Sequence, residues 1–119
     1  MMGEVQHKVL ASMTPEVLNP KMNRRMLWGD RLMAAFMEFK AGFVVPSHQH
    51  ENEQLTYCIS GTMRFSFPDR EIVLRGGEVL LIPGNVPHGA EMMDDVVEMD
   101  FFSPPRQDWI SGSDGYLRK

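Results

Sequence analysis

The sequence predicts an all-β domain, a small barrel or sandwich. Short apolar runs recur after residue 43 at the spacing of roughly 8–12 residues that is typical of such folds. Turn-forming Gly, Pro, Asn and Asp residues separate the runs, and no segment after residue 43 has a convincing helical period. The 119 residues fit one domain, which is large enough to bury a core.

The chain divides into three parts. Residues 1–20 contain two prolines and are expected to form an N-terminal extension or an edge strand. Residues 21–103 form the predicted barrel, and residues 104–119 are a tail rich in Pro, Gly and Ser. We expect this tail to pack on the barrel and then to fray.

Individual strands can be assigned within the barrel. RLMAAFMEF contains helix-forming residues, but it is short and lies between GD and AG, so we interpret it as a strand. Met63, Phe65 and Phe67 alternate with polar residues, and REIVLR is predicted to pair back on them as a hairpin. EVLLIP is predicted to be a buried strand that ends at Pro83.

Composition excludes several classes of protein. The formal net charge of −4, without a basic cluster, argues against a nucleic-acid partner. Cys58 is the only cysteine, so an internal disulfide is impossible and a packed thiol is expected. There is no secretory pattern and no apolar run of the roughly 20 residues that would span a membrane. These features favour a cytoplasmic protein with no membrane partner.

The stretch HQHENEQ suggests a metal site. Residues i and i+2 of a strand point to the same face, so His48 and His50 aim the same way. On a straight strand Gln54, rather than Glu53, shares their face, although a kink after His50 would reverse this. His88 lies about forty residues further on, and an antiparallel sheet could bring it to the same place.

Two stretches resemble the paired motifs of the cupin superfamily. GFVVPSHQHENEQLTYCISG resembles the first motif through Gly42, His48, His50, Gln54 and Gly61. GGEVLLIPGNVPH resembles the second through Gly77, Pro83 and His88. The chain departs from the pattern at Asn85, where glycine is usual, and at Met92, where asparagine is common. The resemblance implies a small single-domain cupin, which is a double-stranded β-helix or jelly-roll barrel.

The resemblance also implies a ligand set for one divalent transition metal: His48, His50, Gln54 and His88. All four side chains are neutral, so the ion would keep its double charge and act as a Lewis acid toward an anionic ligand. Imidazole suits Zn, Ni, Fe or Cu, and the amide oxygen is compatible with Mn. The alternative is that the histidines are polar residues of a barrel without metal. The fourth histidine, His7, is expected at the surface.

The strand VVEMDFF has two different faces. One face would carry Glu98, Asp100 and Phe102, and the other would carry Val97, Met99 and Phe101. In a barrel the polar face could line a pocket, while the apolar face would lie against a second subunit. We therefore expect a homodimer, unless the N-terminal segment of the same chain covers this face.

Arg106 follows the strand-breaking Pro104-Pro105 pair. It could bend over the barrel mouth and bind a carboxylate through two hydrogen bonds. The alternatives are a structural ion pair between Asp100 and Arg106, or exposure of both side chains to solvent.

DFFSPPRQDW, together with HQHENEQ, resembles the small cupins of pectin and alginate degradation. These cupins convert 4,5-unsaturated monouronates into linear keto forms. The resemblance implies that Asp100 is the general acid–base, that Phe102 packs on the sugar ring and that Arg106 holds the carboxylate. The expected partner is therefore a small anionic substrate and the expected activity is of the isomerase type, although related cupins of unknown activity share D-x-F-S-P-P-R.

Two other functions remain open. Three histidines can hold the iron of an Fe(II) dioxygenase, although Gln54 then replaces the usual carboxylate. A non-catalytic cupin that binds a sugar or a small acid is the other candidate. The sequence leaves the roles of four further side chains open: Arg24, Arg25, Arg64 and Tyr57.

Overall fold

The computed structural model describes residues 3–118, which contain ten strands, one short helix and two 3-10 turns. The strands are β1 (Glu16–Asn19), β2 (Met22–Trp28), β3 (Met33–Phe39), β4 (Val44–His48), β5 (Glu53–Ser60), β6 (Thr62–Ser66), β7 (Glu71–Arg75), β8 (Val79–Ile82), β9 (His88–Met92) and β10 (Val96–Ser103). The helix is α1 (Gln107–Ile110), and the 3-10 turns are Leu10–Ser12 and Gly115–Leu117.

The strands form two antiparallel sheets. One sheet has six strands in the order β1-β2-β3-β10-β5-β8, and the other has four in the order β4-β9-β6-β7. Apolar side chains from both sheets fill the space between them. The prediction of an all-β jelly-roll barrel is therefore confirmed.

The long strand β10 supplies much of the barrel interior. It lies between β3 and β5, and its burial alternates along its length, with Glu98, Asp100 and Phe102 inside. β3 follows the same rule, because Met33 and Met37 are buried while the side chains that alternate with them are more exposed. The RLMAAFMEF segment is thus a strand, and its methionines are core residues.

The prediction that EVLLIP is a buried strand is wrong for most of its length. Only Ile82 is buried on β8, whereas the side chains of Val79 and Leu81 are 63% and 57% exposed. The physical reason is position, since β8 is the edge strand of the six-stranded sheet and these two side chains point away from the barrel.

The C-terminal tail is more ordered than predicted. Instead of fraying, the described part forms α1 and the turn Gly115–Leu117, and it buries Trp109 and Leu117. Ion pairs fix it to the sheet: the buried carboxylate of Asp114 lies 2.6 Å from Arg24 Nη1 on β2, and Arg118 Nη2 lies 3.1 Å from Glu16 Oε2 on β1. The tail therefore closes one end of the barrel.

The N-terminal part forms the opposite border of the large sheet. Strand β1 is an edge strand that pairs with β2, and residues 3–9 before it are exposed, His7 included. The segment reaches β2 where Arg25 Nε donates to the carbonyl oxygen of Met13. Within residues 3–118, no helix has the length and apolar character needed to cross a membrane.

Candidate metal site and pocket

The structure brings three of the four histidines together. His48 ends β4 and pairs across the sheet with His88 at the start of β9, while His50 follows two residues after β4. One ligand nitrogen from each ring can be chosen so that all three lie within 4.8 Å of one another. This spacing lets the three imidazoles bind one ion.

A turn joins the two histidine segments. The backbone N–H of Asn85 donates to the carbonyl oxygen of His50 at 2.7 Å. Asn85 adopts a left-handed conformation with φ of 65°, which asparagine tolerates better than most residues, so it serves where glycine is usual. A Cβ atom on Gly84 would lie 2.4 Å from the carbonyl oxygen of Glu51, so only glycine allows this close approach.

Local hydrogen bonds orient each imidazole. Every Nδ1 lies 2.8–3.0 Å from the carbonyl oxygen of a residue two positions away: Pro46 for His48, Asn52 for His50 and Val86 for His88. A carbonyl oxygen only accepts, so each Nδ1 must carry the proton and each Nε2 keeps a free lone pair. The three lone pairs are thereby available to a metal.

The protonation state of the rings suits metal binding. Burial, followed by the positive charge of Arg106 and then His88, lowers the pKa of His50 to about 4. Burial is also the largest factor that lowers the pKa of His88 to about 4, and it lowers the pKa of His48. All three rings are therefore neutral near pH 7.

Gln54 completes the cluster with an unusual contact. Its Oε1 lies 3.1 Å from His50 Nε2, and its Nε2 donates to Thr56 Oγ1 at 2.9 Å. Because the Nδ1 of His50 carries the proton, this contact brings two hydrogen-bond acceptors together. A cation bound by both atoms would turn this repulsion into attraction. Glu53, by contrast, is exposed.

The residues present fit a divalent metal. His88 Nε2 is buried and lacks a hydrogen-bond partner within residues 3–118, which is costly for a polar atom unless an ion satisfies it. Three imidazole nitrogens and one amide oxygen form a donor set for a borderline transition metal, and they leave positions open for a ligand.

Two carboxyl groups lie beside this cluster. Asp100 accepts hydrogen bonds from Thr56 Oγ1 at 2.5 Å and from Gln54 Nε2 at 3.4 Å. Burial raises the pKa of Asp100. Burial, and then the neighbouring Asp100, raise the pKa of Glu98 well above its usual value, and Glu98 Oε2 has no partner within the described residues. Burial and the neighbouring Asp100 therefore favour the protonated, neutral form of Glu98.

Arg106 lies over Phe102 rather than beside Asp100. Its guanidinium carbon is 5.1 Å from the centroid of the Phe102 ring. Its ion-pair partner within residues 3–118 is Asp108, which accepts from Nε at 2.9 Å and from Nη2 at 2.7 Å. The alternative of an Asp100–Arg106 ion pair is thus wrong.

These groups surround a small cavity. Its volume is about 40 Å³, which is room for a few water molecules. His48, Gln54, His88, Asp100, Phe102 and Arg106 all line it, so the structure brings every predicted metal-binding and catalytic residue except His50 to its wall. His50 lines a groove of about 360 Å³ on the outer side of the cluster.

Tyr116 is the residue that the sequence interpretation missed. It lines both the cavity and the outer groove, and its ring lies over His48 with 4.8 Å between the ring centroids. Burial raises the pKa of its hydroxyl. Tyr116 belongs to no motif and lies in a tail that the sequence predicts to fray, so the sequence holds no signal for it.

Comparisons with known proteins agree with this geometry. A family model described as Cupin domain, Cupin_2, matches residues 35–103. A search of curated proteins finds no match. Among solved structures, KdgF from Halomonas sp. is 27% identical with a TM-score of 0.79, over 85% of this chain and 96% of that chain.

Two further structures support the same fold. An RmlC-like cupin from Shewanella frigidimarina NCIMB 400 is 26% identical with a TM-score of 0.83, over 92% of this chain and 99% of that one. The polyketide cyclase RemF from Streptomyces resistomycificus is 23% identical with a TM-score of 0.71, over 90% of this chain and 82% of that one. At this identity the similarity shows the fold alone. The family model covers more than half of the chain, and the barrel carries both histidine segments that resemble the motifs of that family. The chain therefore belongs to the Cupin_2 family.

Proposed function

We propose that the protein binds one divalent transition metal through His48, His50, Gln54 and His88, and that it opens and ketonises an unsaturated uronate or a related sugar acid. One observation carries this proposal. Asp100, Arg106 and three of the four proposed metal ligands line one cavity. The resemblance to the cupins that linearise uronates in pectin degradation gives further support.

Arg106 is suited to hold the substrate carboxylate. Asp108 accepts hydrogen bonds from its Nε and Nη2, and Tyr116 Oη accepts another from Nη2. These bonds fix the plane of the guanidinium. Within residues 3–118, Nη1 makes no hydrogen bond to the protein, so two N–H donors are available to an incoming anion. The apolar ring of Phe102 lies directly below the guanidinium and would pack against the sugar ring.

Asp100 is suited to move the proton. In the reaction, ring opening removes a proton from the anomeric hydroxyl and breaks the bond between C1 and the ring oxygen. The former ring oxygen leaves as an enolate, and ketonisation of this enolate then adds a proton at C4. One carboxyl group can take the first proton and return one at C4, and its raised pKa makes it a stronger base for the first step. A bound metal would supply Lewis-acid polarisation of the substrate oxygens.

The test combines metal analysis with one assay. Elemental analysis of the purified protein is expected to give close to one transition metal per chain. Addition of a 4,5-unsaturated monouronate should then accelerate loss of its conjugated chromophore over the spontaneous rate. A stoichiometric metal with no effect on the chromophore would contradict the proposed reaction. Oxygen uptake by the Fe(II)-loaded protein would then identify a dioxygenase, and tight binding of the acid without turnover would identify a binding protein.

We also propose that the protein forms a homodimer through the large sheet. The outer apolar face of that sheet consists of Leu55, Tyr57, Ile59, Val79, Leu81 and Val97, all partly exposed. These side chains are neighbours, since Leu55 pairs with Leu81 and Tyr57 with Val79 across the strands. A contiguous apolar patch of this kind suits a second copy of the chain. The N-terminal segment contacts β2, which lies near the opposite border of the sheet from β5 and β8.

A further inference from the structure

The hydroxyl group of Tyr116 accepts two hydrogen bonds but donates none to the described part of the protein. Its Oη accepts a hydrogen bond from Arg106 Nη2 at 2.7 Å and another from Trp109 Nε1 at 3.0 Å. Both donors are N–H groups and cannot accept, so they occupy the lone pairs of the oxygen. The O–H of Tyr116 must therefore point elsewhere, and no acceptor for it is found within residues 3–118.

The position of Tyr116 shows where that proton can be used. The side chain lies between the inner cavity and the outer groove, against the ring of His48. Arg106 lines the same two spaces and offers two unused N–H donors on Nη1. A single anionic group at this place could therefore receive hydrogen bonds from both side chains.

We propose that Tyr116 is a further substrate-binding residue, whose hydroxyl donates a hydrogen bond to the carboxylate that Arg106 holds. This inference rests on the proposed function, because it concerns the sugar acid of that same site. Arg106 supplies the charge that selects an acid over a neutral sugar. Tyr116 adds a short donor of fixed direction, because two hydrogen bonds and the stacking on His48 hold its ring.

The surrounding residues explain how the hydroxyl is held. Trp109 lies between two guanidinium groups, with Arg106 at 4.7 Å and Arg24 at 4.8 Å from its ring. Its indole N–H is thus fixed toward Tyr116. On the other side Asp114, two residues before Tyr116, is bound by Arg24 and Arg118. The tail positions the hydroxyl before any ligand arrives, which lowers the entropic cost of binding.

The test is the substitution Tyr116→Phe, which keeps the ring over His48 and removes only the hydroxyl. The matched control is Ser113→Ala, which removes an exposed hydroxyl from the same tail. Binding of galacturonate and of the neutral sugar galactose to the metal-loaded proteins is measured by calorimetry. We expect Tyr116→Phe to weaken galacturonate binding about tenfold, the usual size for a hydrogen bond to a charged group, while the weaker galactose binding and the metal content stay unchanged. The control should match the wild type in galacturonate affinity, galactose affinity and metal content.

A second readout separates a direct contact from an effect through Arg106. The Nε–H of Arg106 donates to Asp108, and its NMR signal reports that pairing. We expect this signal to keep its position in Tyr116→Phe. A shifted signal that accompanies the loss of affinity would show that Tyr116 acts only by positioning Arg106, and it would overturn the inference.

The outcomes also distinguish this inference from the proposed reaction. Unchanged galacturonate affinity in Tyr116→Phe, with normal turnover of the unsaturated uronate by the wild type, overturns the role of Tyr116 alone. Weakened affinity with no turnover by the wild type supports Tyr116 and contradicts the linearising reaction. A metal-loaded wild type that neither binds galacturonate nor turns over the uronate overturns both.

Discussion

Arg24 stacks on Trp109, with its guanidinium carbon 4.8 Å from the centroid of the indole ring. The contact joins β2, near the start of the barrel, to α1 in the tail, 85 positions further along the chain. Arg24 is fully buried and also pairs with Asp114 and Glu16. The role of Arg24, which the sequence leaves open, is therefore to fix the tail over the end of the barrel.

Arg24→Met should destabilise the protein strongly. The substitution removes the charge from a buried ion pair and leaves Asp114 with Arg118 as its remaining partner, so we expect the free energy of unfolding to fall by about 3 kcal/mol or more. Arg25→Met is the matched control, because its pair with Glu38 is partly exposed and is worth about 1 kcal/mol or less. Urea denaturation measures the free energy of unfolding of both variants. An equal loss in the two would show that burial of the ion pair does not matter for stability.

Asp100→Asn should abolish most of the proposed turnover. The amide keeps the shape of the side chain and an acceptor for Thr56 Oγ1, but it cannot exchange a proton, so we expect the rate to fall about 10²–10⁴-fold. Metal content should stay the same. Glu98→Gln should have a much smaller effect on the rate, because burial favours the neutral form of Glu98 and an amide is neutral too. Full activity in Asp100→Asn would remove Asp100 from the reaction.

Metal binding at pH 6 should release few protons. Three imidazoles with the ordinary pKa of about 6.5 would together lose about two protons on binding an ion at this pH. The pKa of His50 and of His88 is lowered to about 4, so both rings are already deprotonated at pH 6. Calorimetry in two buffers with different ionisation enthalpies gives the number of protons that are released when the metal binds. The pKa of His48 is also lowered, so this ring adds only a fraction of a proton, and we expect less than one proton released per ion at pH 6. Release of two protons would mean that the site opens to solvent without metal.

Leu81→Lys should dissociate the proposed dimer. Leu81 lies on the edge strand β8 and is 57% exposed, so in a dimer its substitution would bury a charge in an apolar contact. Val44→Lys is the control, since Val44 is similarly exposed but lies on the four-stranded sheet. Size-exclusion chromatography with light scattering should give a dimer for the wild type and the control, and a monomer for Leu81→Lys. A monomeric wild type would contradict the dimer.

The strands and the polar cluster are predictable from the sequence because strand geometry is local. Side chains two residues apart share a face, so the alternation along β10 is enough to place Asp100 and Phe102 together inside the barrel. The contacts of the tail are not predictable for the opposite reason. Arg24 and Trp109 are 85 positions apart, Asn19 and Leu117 are 98 apart, and no periodic pattern links them.

The wrong prediction of burial on β8 has a different cause. An apolar run at the edge of a sheet can have the same composition as one in a core, although its outer side chains are exposed. The sequence therefore predicts interior positions for Val79 and Leu81. Composition indicates that a side chain is apolar, but it does not indicate whether the strand lies at the edge or in the middle of the sheet.

The closed tail has a practical consequence for the way the protein is purified. Leu117 is buried, and Arg118 is bound to Asp114 and Glu16, so a peptide fused after the tail begins only a few residues from Tyr116 at the rim of the proposed metal site. A hexahistidine tag at that end could place its own imidazoles beside His48 and compete for the ion, which would distort every metal titration. A tag at the N-terminal end is separated from β1 by exposed residues, so it is the better choice for metal titrations.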